Sequence, residues 1–120
     1  MDKLQKFTDL KAWQEAHKLV LLAYKYAKHF PSTEVFVLTN QMLRSAISVT
    51  SNLAEGFGRR SLKEKARFYY QSQASLVELQ NQFIIARDVG YVKLSEYEVF
   101  ENQFVLVHKL ITGLIKGLRR

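Results

Sequence analysis

Apolar residues recur every three or four positions along almost the whole chain, which is the spacing of an amphipathic helix. One proline, Pro31, and five glycines interrupt this pattern in only three places. The pattern predicts an all-α chain with helices at about residues 9–29, 33–57, 62–88 and 96–118. Short connections between such helices favour antiparallel neighbours. We therefore expect one domain over residues 1–120, an antiparallel up-down-up-down four-helix bundle.

Polar residues near the predicted helix starts have the pattern of N-terminal caps. Thr8 or Asp9 is expected to cap the first helix with a side-chain oxygen. The segments 61–64 (SLKE) and 95–98 (SEYE) each fit a capping box, in which a serine and a glutamate satisfy free N–H groups of one turn. These caps predict where the first, third and fourth helices begin.

Two segments, 19–23 and 105–107 with Leu110 and Ile111, are apolar over more than half of the helix circumference. A face this broad lies deep in a monomer core or is covered by another subunit. Because every helix of a four-helix bundle keeps a solvent face, we favour self-association.

The composition excludes several classes of protein. The chain has no cysteine, so disulfides, thiolate zinc sites and cysteine nucleophiles are excluded. No stretch approaches the run of about 18 apolar residues that marks a membrane span. The first residues, MDKLQKFTDLK, lack the apolar centre of a signal peptide. We expect a cytoplasmic protein with no membrane partner.

The net charge is +7, and the predicted topology places the excess at one end of the bundle. The starts of the first and third helices share that end with the finishes of the second and fourth. Its basic residues are Lys3, Lys6, Lys11, Arg59, Arg60, Lys63, Lys65, Arg67, Lys116, Arg119 and Arg120, and its acidic residues are Asp2, Asp9, Glu55 and Glu64. Eleven positive against four negative charges account for the whole excess, since the remaining seven of each sign cancel.

A basic end of this kind is typical of proteins that contact nucleic-acid phosphates. A solvated end that serves only solubility is the alternative interpretation. The residues that would contact RNA or DNA are Arg59, Arg60, Lys63, Lys65, Arg67, Arg119 and Arg120.

Catalytic and metal-binding patterns find little support. The segment 56–61 (GFGRRS) superficially resembles a dinucleotide-binding loop, but it follows a helix rather than a strand. No Glu-x-x-His sequence occurs, and His17, His29 and His108 are widely spaced, so a bundle metal site is not indicated. Neither Ser48 nor Ser51 has a histidine nearby in sequence. We expect no catalytic residue, no metal and no cofactor, and hence no enzyme.

A polar group on the second helix has two interpretations. Its members are Arg44, Ser45, Ser48, Asn52 and Glu55. In the structural interpretation, these residues form a hydrogen-bonded polar layer that fixes the helix register or closes a subunit contact. In the functional interpretation, they bind a ligand. We prefer the structural interpretation, because buried polar groups need partners. Gly56 and Gly58 are expected to end this helix in left-handed backbone.

Several segments, taken in order, resemble the four-helix-bundle family of 23S ribosomal RNA intervening-sequence proteins. The segments are FTDLKAWQ at 7–14, Phe30-Pro31 followed by Glu34, Gln41-x-x-Arg44-Ser45-Ala46, SNLAEG at 51–56 followed by Arg59, Ser75-Leu76 with Glu78-Leu79, and Gly90-Tyr91. The most specific is Asn52-x-Ala54-Glu55-Gly56 together with the preceding Gln41-x-x-Arg44.

That resemblance implies a bacterial protein without established enzymatic activity that assembles as a cyclic homopentamer. The fold is also similar to that of the accessory protein of diversity-generating retroelements, which is thought to bind nucleic acid and a reverse transcriptase. Two functions therefore stay open: a nucleic-acid-binding homo-oligomer, and a scaffold that docks a protein partner such as a reverse transcriptase and whose charge is incidental.

Overall fold

The structure, a computed structural model, describes residues 4–119 of the chain. It contains four α-helices: α1 (Lys11–Ala27), α2 (Asn40–Gly58), α3 (Leu62–Asp88) and α4 (Leu94–Gly117). No strand occurs between residues 4 and 119. The prediction of an all-α chain with four helices is confirmed.

Each helix contacts the next, and α4 also contacts α1, so that the four helices close around one core. Across neighbouring helices, the residue number of the hydrogen-bonded partner falls as the residue number on the first helix rises. Between α2 and α3, Ser48 bonds Ser75 while Lys65 bonds Phe57. The single chain is elongated, with extents of 46 × 25 × 21 Å.

The core is built from the helix faces that the apolar spacing predicts. At its centre the rings of Phe83 and Phe100 stack with centroids 3.8 Å apart. The other large side chains that are fully buried are Leu19, Met42, Val49, Leu53, Leu76, Leu79, Val107 and Ile111. Because burying one such side chain stabilises a fold by about 1.5–3 kcal/mol, this cluster is the main source of stability.

The first helix begins at Lys11, two residues later than predicted. Asp9 does cap backbone N–H groups, but they belong to a separate 3₁₀ turn at Phe7–Asp9. Its carboxylate accepts from the backbone N–H groups of Gln5 at 3.1 Å and Lys6 at 3.0 Å. These hydrogen bonds lower the pKa of Asp9. The carboxylate is therefore unavailable to α1.

The segment before α2 is less regular than the predicted continuous helix. A 3₁₀ turn at Ser32–Glu34 leads into a π-helical turn at Val35–Thr39. Glu34 holds this segment, since its carboxylate accepts from the Leu38 N–H at 3.5 Å and from the Tyr91 hydroxyl at 2.9 Å. The π-helical turn thus depends on Tyr91, which lies 57 positions after Glu34 in the sequence.

The prediction that Gly56 and Gly58 end α2 in left-handed backbone is wrong. The one residue with positive φ in the described part of the chain is Gly90, at 87°, which ends α3. Gly56 lies inside α2 and is buried. A β-carbon there would stand 2.6 Å from the Tyr69 ring, so glycine is needed for close approach of α2 and α3.

The starts of α3 and α4 use different caps. At α3 the Ser61 hydroxyl accepts from the Glu64 N–H at 3.1 Å, which is one half of the predicted capping box, while the Glu64 carboxylate pairs with Arg67. At α4 the predicted pair of Ser95 and Glu98 is wrong, because the helix starts at Leu94. The Glu96 carboxylate instead accepts from the Lys93 N–H at 2.9 Å.

Candidate nucleic-acid interface

Side-chain contacts bring the start of α1, the end of α2, the start of α3 and the end of α4 together. Phe7 lies beside Gly58, Lys65 bonds the last turn of α2, and the Arg119 guanidinium donates to the Tyr70 hydroxyl at 2.9 Å. We call this region the basic end. Its described members are Lys6, Lys11, Arg59, Arg60, Lys63, Lys65, Arg67, Lys116 and Arg119 with Asp9, Glu55 and Glu64. Nine positive against three negative charges leave +6.

Lys65 caps the end of α2. Its ammonium donates to the carbonyl oxygens of Gly56 at 3.2 Å and Phe57 at 2.7 Å, and it lies 5.5 Å from the Phe57 ring centroid. Carbonyls of a last helical turn have no partner within the helix and carry its negative dipole end, so a cation is favourable there. Lys65 therefore has a structural contact that competes with any phosphate.

Arg59 and Arg67 flank one aromatic ring. Their guanidinium carbons lie 4.7 Å and 4.5 Å from the Phe68 ring centroid, within the range of a cation–π contact. Arg59 also pairs with Glu55 at 2.9 Å, and Arg67 pairs with Glu64 at 3.3 Å. These contacts fix the two guanidinium groups, and each of the two ion pairs is formally neutral.

Arg60 and Lys63 differ from Arg59, Lys65 and Arg67, whose side chains have partners. Both side chains are exposed, and neither makes a hydrogen bond or ion pair with any residue between 4 and 119. They follow the last turn of α2 and open α3, where the chain turns at the tip of the bundle. Arg120, also predicted to contact phosphates, lies outside the described residues.

A notch of about 360 Å³ opens next to the basic end. Its lining consists of Phe7, Ala54, Glu55, Gly58 and Arg59. The Phe7 ring is 38% exposed, while Nε of Arg59 is buried and finds no acceptor among the described residues. The notch thus combines an aromatic surface with a carboxylate and a guanidinium.

The Phe7 ring packs against an aromatic side chain of α1. Phe7 meets Trp13 edge to face, with centroids 5.4 Å apart, and Trp13 stacks on His17 at 4.9 Å. His17 therefore serves packing, whereas His108 is exposed and its ring centroid lies 5.9 Å from that of Phe104. No group of three metal-ligating side chains occurs in the part of the chain that the structure describes.

The predicted polar group of α2 is divided among three contacts. Asn52 donates to the Ser48 backbone oxygen at 2.9 Å and the Ser48 hydroxyl at 3.0 Å, and Ser48 bonds Ser75 of α3 at 2.8 Å. Glu55 instead points outward to Arg59. Ser48 and Asn52 thus link α2 to α3, whereas Glu55 belongs to the basic end.

The remaining two residues, Arg44 and Ser45, line an open groove between α2 and α3. Gln41, Glu78 and Gln82 complete its lining. Gln82 is 7% exposed, and its Oε1 has no hydrogen-bond donor within residues 4–119. Arg44 and Glu78 are exposed at the groove, and so this part of the predicted layer is open rather than closed by hydrogen bonds.

Glu15 on α1 is a buried glutamate that the sequence pattern did not lead us to expect. Glu15 is 4% exposed, and Lys11 and Lys18 lie 3.1 Å and 3.2 Å from its Oε2. Gln103 of α4 donates to its Oε1 at 3.1 Å and to its backbone oxygen at 2.8 Å. These hydrogen bonds, that from Gln103 first, lower the pKa of Glu15 to about 2.

The sequence carried a signal for this contact. Glu15 stands between lysines at i−4 and i+3, and Gln103 lies next to Phe104 on the apolar side of α4. A charged residue with two opposite charges one turn away, on the core side of a helix, indicates a buried ion pair. Together the two residues join α1 to α4.

Comparison with known proteins assigns the chain to a family. The family model described as "23S rRNA-intervening sequence protein" matches residues 8–113. No curated protein matches the chain. A similar fold occurs in the crystal structure, at 1.70 Å resolution, of a protein of unknown function from the S23 ribosomal protein family of Bacteroides thetaiotaomicron VPI-5482, with a TM-score of 0.80.

That structure is 19% identical to this chain, and the likeness covers 88% of this chain and 98% of the other. At this identity it is informative about fold alone. Neither description names an enzymatic activity. No helix within residues 4–119 is long and apolar enough to cross a membrane.

Proposed function

The chain belongs to the 23S rRNA-intervening sequence protein family, and from this premise we propose that it is a non-enzymatic, homo-oligomeric protein of the cytoplasm that binds RNA or DNA through its basic end. One observation carries the proposal. Arg60 and Lys63 are exposed cations without partners in the described residues, set within a local excess of +6. Phosphate groups would neutralise charges that the protein leaves uncompensated.

The expected binding is backbone contact without base selection by these two residues. Lysine and arginine at a helix tip reach phosphate oxygens, which position a nucleic acid but carry no sequence information. Arg67 and Arg119 add positive potential around them, although each already has a partner. Affinity should therefore fall steeply with salt, as neutralised phosphates release counterions.

We further propose a single up-down-up-down bundle that assembles as a cyclic pentamer. The opposite numbering of hydrogen-bonded residues across α2–α3 and α3–α4 supports the bundle topology. Large apolar side chains exposed on α3 and α4 support assembly; they are Tyr70, Val77, Ile85, Val99, Val105 and Leu106. Sedimentation velocity of the purified protein tests this, and a monomer at micromolar concentration would overturn it.

Electrophoretic shift and fluorescence anisotropy with structured RNA and duplex DNA test the nucleic-acid function. The test variant is Arg60→Ala/Lys63→Ala, and the matched control is Lys25→Ala/Lys28→Ala, which removes two exposed lysines from the opposite half of the bundle. We expect the test variant to lose most binding and to have a shallower salt dependence. Equal affinity of the two variants would refute the proposal.

A protein-interaction scaffold is the second candidate, and a surface at the opposite end of the bundle favours it. Phe36 is 90% exposed in the π-helical turn, with Val35 and Val37 exposed beside it. An apolar side chain this open is typical of a docking surface. Phe36→Ser would weaken binding of a protein partner such as a reverse transcriptase without changing nucleic-acid affinity. The same titrations therefore separate the scaffold function from the nucleic-acid function.

A further inference from the structure

We infer that the notch beside the basic end receives one unstacked nucleobase, so that the protein prefers single-stranded or looped nucleic acid to a duplex. This inference rests on the proposed nucleic-acid function and adds the class of strand that it selects. The notch residues are Phe7, Ala54, Glu55, Gly58 and Arg59.

The size and lining of the notch fit a planar aromatic ligand. Its volume of about 360 Å³ lies within the range of about 300–1,000 Å³ that small-molecule sites occupy. Phe7 is partly exposed and available for stacking, and Trp13, which itself stacks on His17, packs edge to face against its ring. Stacking on aromatic side chains is the usual way in which proteins hold unpaired bases.

Two charged groups at the notch suit the edge of a base. The Glu55 carboxylate accepts hydrogen bonds and the Arg59 guanidinium donates them, which matches the donors and acceptors along a base edge. Both are held in place, since they pair with each other at 2.9 Å and Arg59 also lies over the Phe68 ring. A base entering the notch therefore meets groups that are already oriented.

The position of the notch relative to the free cations completes the argument. Arg60 follows Arg59 directly in the chain, and Lys63 lies three residues further on. A strand whose phosphates contact these two cations thus runs past the notch. A duplex keeps its bases stacked and paired inside, so only an unpaired base can turn into the notch at little cost.

Fluorescence anisotropy with two probes tests the inference. The probes are an oligouridine RNA of about 12 nucleotides and a duplex of the same length. Gly58→Leu adds a large apolar side chain to the lining of the notch, and the fold accommodates it because a β-carbon at Gly58 meets no atom within 4 Å. Gly113→Leu on α4 is equally open and is the matched control.

We expect Gly58→Leu to weaken single-strand binding by about 5- to 150-fold, the range for loss of one stacked base, and to leave duplex binding unchanged. Gly113→Leu should leave both unchanged. Single strands should also quench Trp13, the one tryptophan of the chain, in the unchanged protein but not in Gly58→Leu.

Two results would overturn the inference. If Gly58→Leu binds single strands as tightly as Gly113→Leu does, while Arg60→Ala/Lys63→Ala loses them, the notch holds no base and the basic end alone binds. Equal affinity of the unchanged protein for the single strand and the duplex also refutes strand selection. If the unchanged protein binds none of the probes, the proposed function fails first, and the inference fails with it.

Discussion

Gly56 lies where α2 comes closest to α3, and alanine at this position measures how tightly the two helices pack. A β-carbon on Gly56 would stand 2.6 Å and 2.8 Å from two ring carbons of Tyr69 and 3.1 Å from Cβ of Phe68. Tyr69 is buried, so its ring cannot swing into solvent. Overpacking of this kind costs about 1–3 kcal/mol, and the higher helix propensity of alanine offsets about 0.5–1 kcal/mol. We expect Gly56→Ala to lower the free energy of unfolding by about 1–2 kcal/mol.

Urea unfolding followed by circular dichroism measures this change, at one fixed protein concentration because assembly makes apparent stability concentration-dependent. The matched control is Gly113→Ala, an interior position of α4 where a β-carbon meets no atom within 4 Å. There alanine should raise the free energy of unfolding by about 0.5–1 kcal/mol. The packing argument is falsified if Gly56→Ala is as stable as the unchanged chain.

Two more predictions concern charges that hold the fold. The pKa of Glu15 is lowered from 4.5 to about 2, so its stabilisation is fully present above pH 4.5 and is lost as the pH falls towards 2, by up to about 1.4 kcal/mol per pH unit. Urea titrations at several pH values in this range give the slope of the free energy of unfolding against pH. This slope should be flatter in Glu15→Gln but unchanged in the exposed control Glu98→Gln. Equal slopes in the two variants would contradict the stabilising role of the Glu15 carboxylate. Lys65→Met removes the cap of α2 and should lower the free energy of unfolding by about 1–2 kcal/mol, whereas Lys63→Met should change it by less than about 0.5 kcal/mol. Equal stability of these two lysine variants would show that Lys65 is not a structural cap.

The four helices could be predicted because their apolar period is local information. The irregular start of the second helix could not, because its π-helical turn depends on Glu34 and on Tyr91, which lies in a distant loop. Gly56 illustrates the same limit. Its place near the helix end indicated a turn residue, and only the position of the Tyr69 ring reveals that it is needed for close packing.

The basic end was predictable as a count of charges but not as a set of contacts. Four helix termini meet there, so the excess positive charge is a matter of topology. The partners of each cation depend on neighbours in space: Lys65 bonds the carbonyls of α2, and Arg59 is held by Glu55 and Phe68. Contacts of this kind do not follow from residue type. From the sequence alone, Lys65 and Arg60 are therefore both expected to contact RNA or DNA.

This division of the cations links the proposed binding to the proposed assembly. With Arg60 and Lys63 as the phosphate contacts, one protomer neutralises about two phosphates, which gives a slope of log K against log salt of about −1.4 to −1.8. Binding that weak is of little use to a monomer. A ring of five basic ends on one strand would raise the slope towards about −7 to −9 and the affinity with it, through effective concentration. A measured slope near the protomer value would mean that only one basic end of an assembly engages the strand, and then the reason for assembly must lie elsewhere, as at the exposed Phe36.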